Sequence, residues 1–250
     1  MSVGIQIDVL GIECNTDTPD ADGVLWDCGP IDGWASADTR GGALSPTGRH
    51  GLARLNQLHG GRPLRAFGTT KAPSQAAAWD AYYRLAAILD LNAESDVIVY
   101  EPVPKFVTAS LAPGNPPKME DPVDGFFQWD LALVAAFPFK RAVTGTTTAI
   151  GSGGSATLVN GGRIAAYPTA TVASGGTVDL TIGTRHFTTT DLPVGAVVDM
   201  WARTITAADG SSLYGTKSAA SKWLALPPGS SLGGQGGMAG LDLTWHDTYA

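Results

Sequence analysis

Apolar and polar positions alternate from the start of the chain: "VGIQIDVLGI" reads as a strand with one buried face. The turn-rich "NTDTPDADG" ends it, and "VLWDCGPIDGW" resumes with Trp26 and Trp34 parted by Gly-Pro and Asp-Gly turn signals. From Ala35 to His59 the chain is rich in Gly, Arg and Ser, which predicts a long loop flanked by strands. "GRPLRAFGTT" predicts a further strand. Pro73 and Ser74 then offer a helix start, and Ala78, Tyr82, Leu85 and Leu89 recur at helical spacing, predicting a helix over about residues 74–92. Its aromatic stripe is expected to cover a sheet. "DVIVYEP", "KFVTASL" and "GFFQWDLALVAAFPFK" read as strands; in the last, Phe127, Trp129, Leu131, Leu133 and Ala135 share one side while Gln128 and Asp130 face the other. Between these strands, "LAPGNPPKMEDPVDG" reads as a projecting loop, too irregular for a tight hairpin turn.

After "FPFKRA" the texture changes. "VTGTTTAIGSGGSATLVNGG" is Thr, Gly and Ser with almost no charge, and the short runs "YPTATVA", "TVDLTIGTRHFTTTDL", "AVVDMWARTIT" and "GLDLTWHDTY" follow, punctuated by turns such as Asn160-Gly161 and Asp209-Gly210. Short strands spaced by turn dipeptides, with no helical window, predict a β-sandwich. The expected organisation is a domain over residues 1–140 and a second over 141–250, mainly β, with no internal repeat.

Composition supports this reading: 250 residues with 44% hydrophobic content suffice for two cores, and 32 Gly and 16 Pro suit a β-rich chain full of turns. The net charge of −7 lies wholly before Arg141, where 10 basic residues meet 17 acidic ones, against 6 and 6 afterwards. No cluster of Lys and Arg advertises attraction to a phosphate backbone, so sequence-specific nucleic-acid binding is not expected. Cys14 and Cys28 are too few for a disulfide scaffold or a zinc dyad; two free thiols and a single bridge both remain open. No apolar run has membrane-spanning length, and "MSVGIQIDVLGIEC" lacks the basic start and continuous apolar core of a signal peptide, so neither membrane insertion nor export is expected.

Gly229-Ser230-Ser231-Leu232-Gly233 satisfies the G-x-S-x-G pattern of a hydrolase elbow, but Pro227-Pro228 precedes it and "GGQGGMAG" follows, where the elbow needs a strand and then a helix. "LPPGSS" is instead expected to be a rigid turn between two strands, with Trp223 anchoring it to the core. "GSGGSA" from Gly151 matches a dinucleotide fingerprint loosely, without the helix N-terminus a phosphate needs. His50, His59, His186 and His246 are isolated, and the acidic run Glu120, Asp121 and Asp124 lies in a loop that supplies no rigid cleft. The expectation is no catalytic residue, no metal and no cofactor. A tryptophan in a sandwich ordinarily plugs or covers the core; the alternative, stacking on sugar rings, makes Trp201 and Trp223 the candidate carbohydrate-binding residues.

The order "GVLWDCGPIDGW", "GLARLNQLHGGRPLRAFGTT", a helix and then "VIVYEPVPKFVTASL" resembles the N-terminal domain of siphophage distal tail proteins. "LVNGGRIAAYPTATV", the run from "WARTITAADGSSLYG" to "SKWLALPPGS", and the closing "LTWHDTY" are similar to segments of that family's second half. The resemblance implies a tail-tube-like β-barrel or sandwich flanked by one helix, followed by a galectin-like or carbohydrate-module-like β-sandwich. It also implies a homohexameric ring at the virion tail tip, made in the host cytoplasm. That ring would join the tail tube protein to the tail-tip hub protein, with the tape-measure protein and host cell-wall glycan as further partners. The loops from Arg40 to His59 and from Pro113 to Asp124 are the expected subunit contacts, and the acidic half is expected to face the lumen and repel passing DNA. The alternatives are an adhesin recognising the host surface through the second sandwich, and a glycosidase or esterase acting through Ser231.

Overall fold

The computed structural model describes residues 5–35, 39–40, 43–44, 53–54, 58–59, 61–88, 94–115 and 118–250. The chain divides into two compact units, Met1–Lys140 and Arg141–Tyr249. In chain order the elements are β1 (Ile7–Val9), β2 (Ile12–Cys14), β3 (Leu25–Cys28), β4 (Thr39–Arg40), β5 (Ala43–Leu44), β6 (Ala53–Arg54), β7 (Leu58–His59), β8 (Arg62–Lys71), α1 (Gln75–Ile88), β9 (Ser95–Val99), β10 (Lys105–Leu111), β11 (Lys118–Met119) and β12 (Phe126–Ala135). They continue as β13 (Lys140–Ile150), β14 (Ser155–Asn160), β15 (Thr169–Ser174), β16 (Gly176–Ile182), β17 (Arg185–Leu192), β18 (Val197–Asp199), β19 (Thr204–Thr206), β20 (Gly229–Gln235) and β21 (Gly240–Tyr249). The fold is mainly β with one α-helix among the described residues.

In the first unit the strands run β2-β1-β9-β10-β12-β8-β3, every pair antiparallel, with β11 added beside β12. The ends of this path meet. The Asn15 amide donates to Trp26 O at 2.8 Å, and its side-chain Oδ1 accepts from the Cys28 amide at 2.9 Å, so β2 and β3 are tied and the sheet curls towards a barrel. The alternation read in β12 is realised: Phe127, Trp129, Leu131, Leu133 and Ala135 are all buried, facing Leu64 and Ala66 of β8 and Trp26 of β3. The α1 start is capped by Ser74, whose Oγ accepts from the Ala77 amide at 3.2 Å. Ala78, Ala81 and Leu85 bury its inner face, and Tyr82 stands edge-on to Phe127 at 5.9 Å, so the stripe covers the sheet as expected. The helix is observed over Gln75–Ile88, and residues 89–92 of the expected 74–92 lie outside the described residues.

Three local expectations are corrected. "VGIQIDVLGI" is not one strand: Leu10 (φ 56°) and Gly11 (φ 87°) form a two-residue turn between β1 and β2. The buried positions change from odd (Ile7, Val9) to even (Ile12, Cys14) across it, a shift of parity that simple alternation hides. The Pro-rich segment before β12 contains a tight hairpin after all. Lys118 and Met119 oppose Asp130 and Trp129, and Val123 and Phe126 exchange backbone hydrogen bonds across Asp124 (φ 51°) and Gly125 (φ 78°). Asp-Gly is the dipeptide that a reversal with two positive φ values prefers. Within the stretch from Ala35 to His59, β4 pairs with β7 and β5 with β6, nested antiparallel pairs where a loop was expected; the rest of that stretch lies outside the described residues.

The second unit is a sandwich. One sheet runs β19-β18-β15-β21-β13 and the other β14-β20-β16-β17, enclosing Ile150, Leu158, Val172, Leu180, Phe187, Leu241, Leu243 and Trp245. "LPPGSS" is not a turn between two strands. Before the prolines there is only an isolated bridge, Leu226 with Ala166, and β20 begins at Gly229 (φ 87°) immediately after them.

Candidate functional surfaces

The catalytic reading of Ser231 lacks its geometry. Ser231 lies inside β20, opposite Leu158 in β14, so no strand-to-helix elbow lifts its hydroxyl above a sheet. His186 Nε2 is paired with Asp179 Oδ1, two members of a triad in type. The nearby Ser221 is no nucleophile for it, because its Oγ donates to Thr188 O and accepts from the Thr188 amide, both at 2.7 Å. "GSGGSA" forms the turn between β13 and β14, closed by the Gly154 amide on Gly151 O at 2.9 Å. His246 Nδ1 lies 2.8 Å from Ala142 O; His50 and the His59 side chain lie outside the described residues. Among the described residues no three His, Cys, Asp or Glu side chains gather as metal ligands.

The two candidate tryptophans differ in exposure. Trp201 follows β18 in a turn capped by Asp199, whose Oδ1 accepts from the Trp201 and Ala202 amides at 2.8 Å. It is 43% exposed and stands against Tyr167 at 5.1 Å. Trp223 is half-buried against the sandwich core. Phe187 packs at 5.1 Å, Tyr214 lies at 6.3 Å, and Lys217 Nζ sits 5.7 Å from the ring centroid.

The acidic half has its own features. Arg84 on α1 bridges Asp20 and Asp22, tying the helix to the segment before β3. On the outer face of β8 and β12, Arg65 forks onto Asp130 with two bonds of 2.8 Å and lies over Phe67 at 5.5 Å. A broad, open depression of about 820 Å³ surrounds that pair, bordered by Asp27, Thr69, Lys118 and Gln128. Cys14 and Cys28 are free thiols that face each other across β2 and β3; the hydrogen bond between them pushes the buried Cys14 thiol up and draws Cys28 down.

A second cavity, of about 520 Å³, is apolar and opens beside Trp34. Lys140 and Glu101 line one side of it, with further cations close to them. Arg62 is fully buried, Lys140 is 9% exposed with its Nζ 5.6 Å from the Trp34 ring, and Lys105 pairs with Glu101. Glu101 is fully engaged, accepting also from Trp34 Nε1 at 2.6 Å. Burial lowers the Arg62 guanidinium and the Lys140 ammonium from their ordinary ranges; Glu101 opposes this for Lys140, and the neighbouring Arg62 and Lys105 charges add to it. Sequence reading passed over this cluster, because Arg62, the Glu101–Lys105 pair and Lys140 come from three separate segments.

No protein-family model matches the chain, and no curated protein matches its sequence. Its fold does match solved structures. The chain is similar to the Dit protein (gp 19.1) of phage SPP1, described as a paradigm of the hub adsorption apparatus in phages infecting Gram-positive bacteria. The TM-score is 0.69 at 13% identity, over 99% of this chain and 100% of that one. It is also similar to a chain of the phage P2 baseplate in its activated conformation, both with Ca (TM-score 0.53, 6% identity, 96% of this chain and 97% of that one) and with Sr (0.52, 6%, 96% of each). The chain therefore has the Dit fold from end to end.

Proposed function

We propose that this chain is a structural protein of the tail tip in a phage with a long, non-contractile tail. Copies of it form a homohexameric ring that joins the tail tube protein to the tail-tip hub protein. The observation that carries this reading is the agreement of the fold, over 99% of this chain and all of the other, with a protein described as a hub of the adsorption apparatus. The lack of an elbow at Ser231 argues in the same direction, since the chemistry suggested by that motif has no constellation to perform it. The first unit, which carries the whole net charge of −7, builds the ring in this reading, with acidic side chains facing a bore that DNA crosses without sticking. Native mass spectrometry of the purified chain tests the ring and should give a six-fold particle. Electron microscopy of the virion should place six copies at the tail tip around an acidic bore; a tip without this chain, or with a basic bore, contradicts the reading.

A second role rests on one observation: Trp201 and Tyr167 leave an aromatic surface on the second unit partly open to solvent. Host cell-wall polysaccharide is the ligand that such a surface suits. Binding lost in Trp201→Ala, with the fold retained, supports it; binding unchanged by that substitution removes it.

A further inference from the structure

The ten-residue pairing of β8 with β12 ends differently at its two extremities. Near the end where Arg62 opposes Ala135, Lys140 lines the apolar cavity described above, with the Arg62 charge close to it. Where Lys71 opposes Phe126, the Asp124-Gly125 hairpin projects with Glu120, Asp121 and Asp124 on or beside its tip. Nine residue rises separate the two, about 30 Å at strand spacing.

Each end lacks something that the other offers. Arg62 is fully buried, yet only its Nη1 has an acceptor, Trp34 O at 3.2 Å; its Nε and Nη2 find none among the described residues. The carboxylate in that cluster, Glu101, is already held by Trp34 and Lys105, so this end is short of negative charge. The cavity beside it, bounded by Ile5, Ile7, Pro30, Ile31, Val99 and Lys140, is apolar, and no side chain among the described residues fills it. At the other end Val123 is 66% exposed between carboxylates. That tip is stiff: Gln75 Nε2 donates to Pro122 O at 2.6 Å and Gln75 Oε1 accepts from the Gly125 amide at 3.1 Å, while Val123 and Phe126 hold each other by two backbone bonds. An apolar side chain held rigidly in solvent loses little freedom on docking.

We propose that the acidic tip of one copy, Asp121–Asp124, docks in the cavity beside Lys140 of the next, with Val123 entering the apolar space and the carboxylates facing Lys140 and the Arg62 charge behind it. Opposite ends of one ribbon then meet head to tail, an arrangement in which every copy both gives and receives, and which closes into a ring when the rotation between copies allows it. This rests on the reading that the chain assembles with its own copies, and names the contact that does so.

Charge reversal tests it on the full chain, with oligomeric state read by sedimentation velocity and folding by circular dichroism. Wild type should self-associate, and Asp121→Lys and Lys140→Glu should each weaken association about tenfold or more, the scale of a lost complementary contact. Mixing the two variants should restore assembly, because each then meets an opposite charge. Val123→Asp, on an exposed side chain, should give the same loss and reads the contact even if the substitution at buried Lys140 fails to fold. Folded variants that associate like wild type, or mixtures that do not recover, overturn this contact and leave the ring itself standing. A wild-type chain that stays monomeric up to millimolar concentration overturns both.

Discussion

Asn160 illustrates how much one side chain can carry. It is 1% exposed at the end of β14, its Nδ2 donating to Ile164 O at 2.8 Å and Leu226 O at 3.1 Å, its Oδ1 accepting from the Gly162 amide at 2.9 Å. It therefore joins the Asn-Gly turn to the segment that carries Trp223. Asn160→Ala leaves the Ile164 carbonyl and the Gly162 amide without this partner, while Leu226 O keeps the Ala166 amide, and each buried polar group left unmet costs about 1–3 kcal/mol. The expected loss is about 3 kcal/mol for the second unit, read as a lower urea midpoint with an unchanged slope. The His186–Asp179 pair, by contrast, is exposed and contributes little to stability on general grounds.

At the scale of elements, Gly68 is the position in β8 that the packing least forgives. A Cβ there would lie 2.0 Å from Asp27 O in β3 and 2.5 Å from the Trp129 ring in β12, so both neighbouring strands would have to move. Gly68→Ala should destabilise the first unit by about 3 kcal/mol, at the top of the usual range for overpacking, and broaden the indole signal of Trp129 in NMR. The strands legible in the sequence were those with one wet face, such as β12, where period-two alternation survives over ten residues. The tight reversals at Leu10-Gly11 and Asp124-Gly125 were not. In the first, apolar residues continue through the turn; in the second, neighbouring prolines mask a strong hairpin dipeptide. Trp201 and Trp223 could be nominated by type, but only packing separates them: Phe187 and the core cover Trp223, while Trp201 keeps solvent access. The cluster around Arg62 was out of reach, since its members are brought together by strand pairing between distant segments.

For the molecule as a whole, each of the two compact units has its own core, and their electrostatics differ. Hydrogen bonds from Arg65 hold Asp130 below the ordinary aspartate value of 3.8. Burial works against ionisation of Asp20 and Glu101, but Trp26, Val24 and Arg84 for the first, and Lys105 and Trp34 for the second, overcome it and lower both. A carboxyl lowered in the folded state stabilises fully above its unfolded value and loses that contribution as pH falls through its folded one. All three lie in the first unit, where burial raises Asp8 in opposition, against one lowered carboxyl in the second, the exposed Asp209. Calorimetry should therefore resolve a transition of the first unit that moves to lower temperature between about pH 4 and pH 2, more steeply than that of the second. Asp130→Asn should flatten that dependence, and an unaltered slope would remove Asp130 from the account.

The turn after β14 has one more consequence, and it concerns age. An asparagine followed by glycine is the dipeptide most prone to spontaneous deamidation, in which the glycine nitrogen attacks the side-chain carbonyl and ammonia departs. Here the Gly161 nitrogen is bound to Asp247 Oδ1 at 2.8 Å, and the departing Nδ2 is held by two main-chain carbonyls. Both reactants of that chemical clock are pinned, so the folded protein should outlast its own unfolded chain by this measure. In the tail-tip role proposed above, that durability would suit a particle which, once released from its host, has no means of replacing a worn copy.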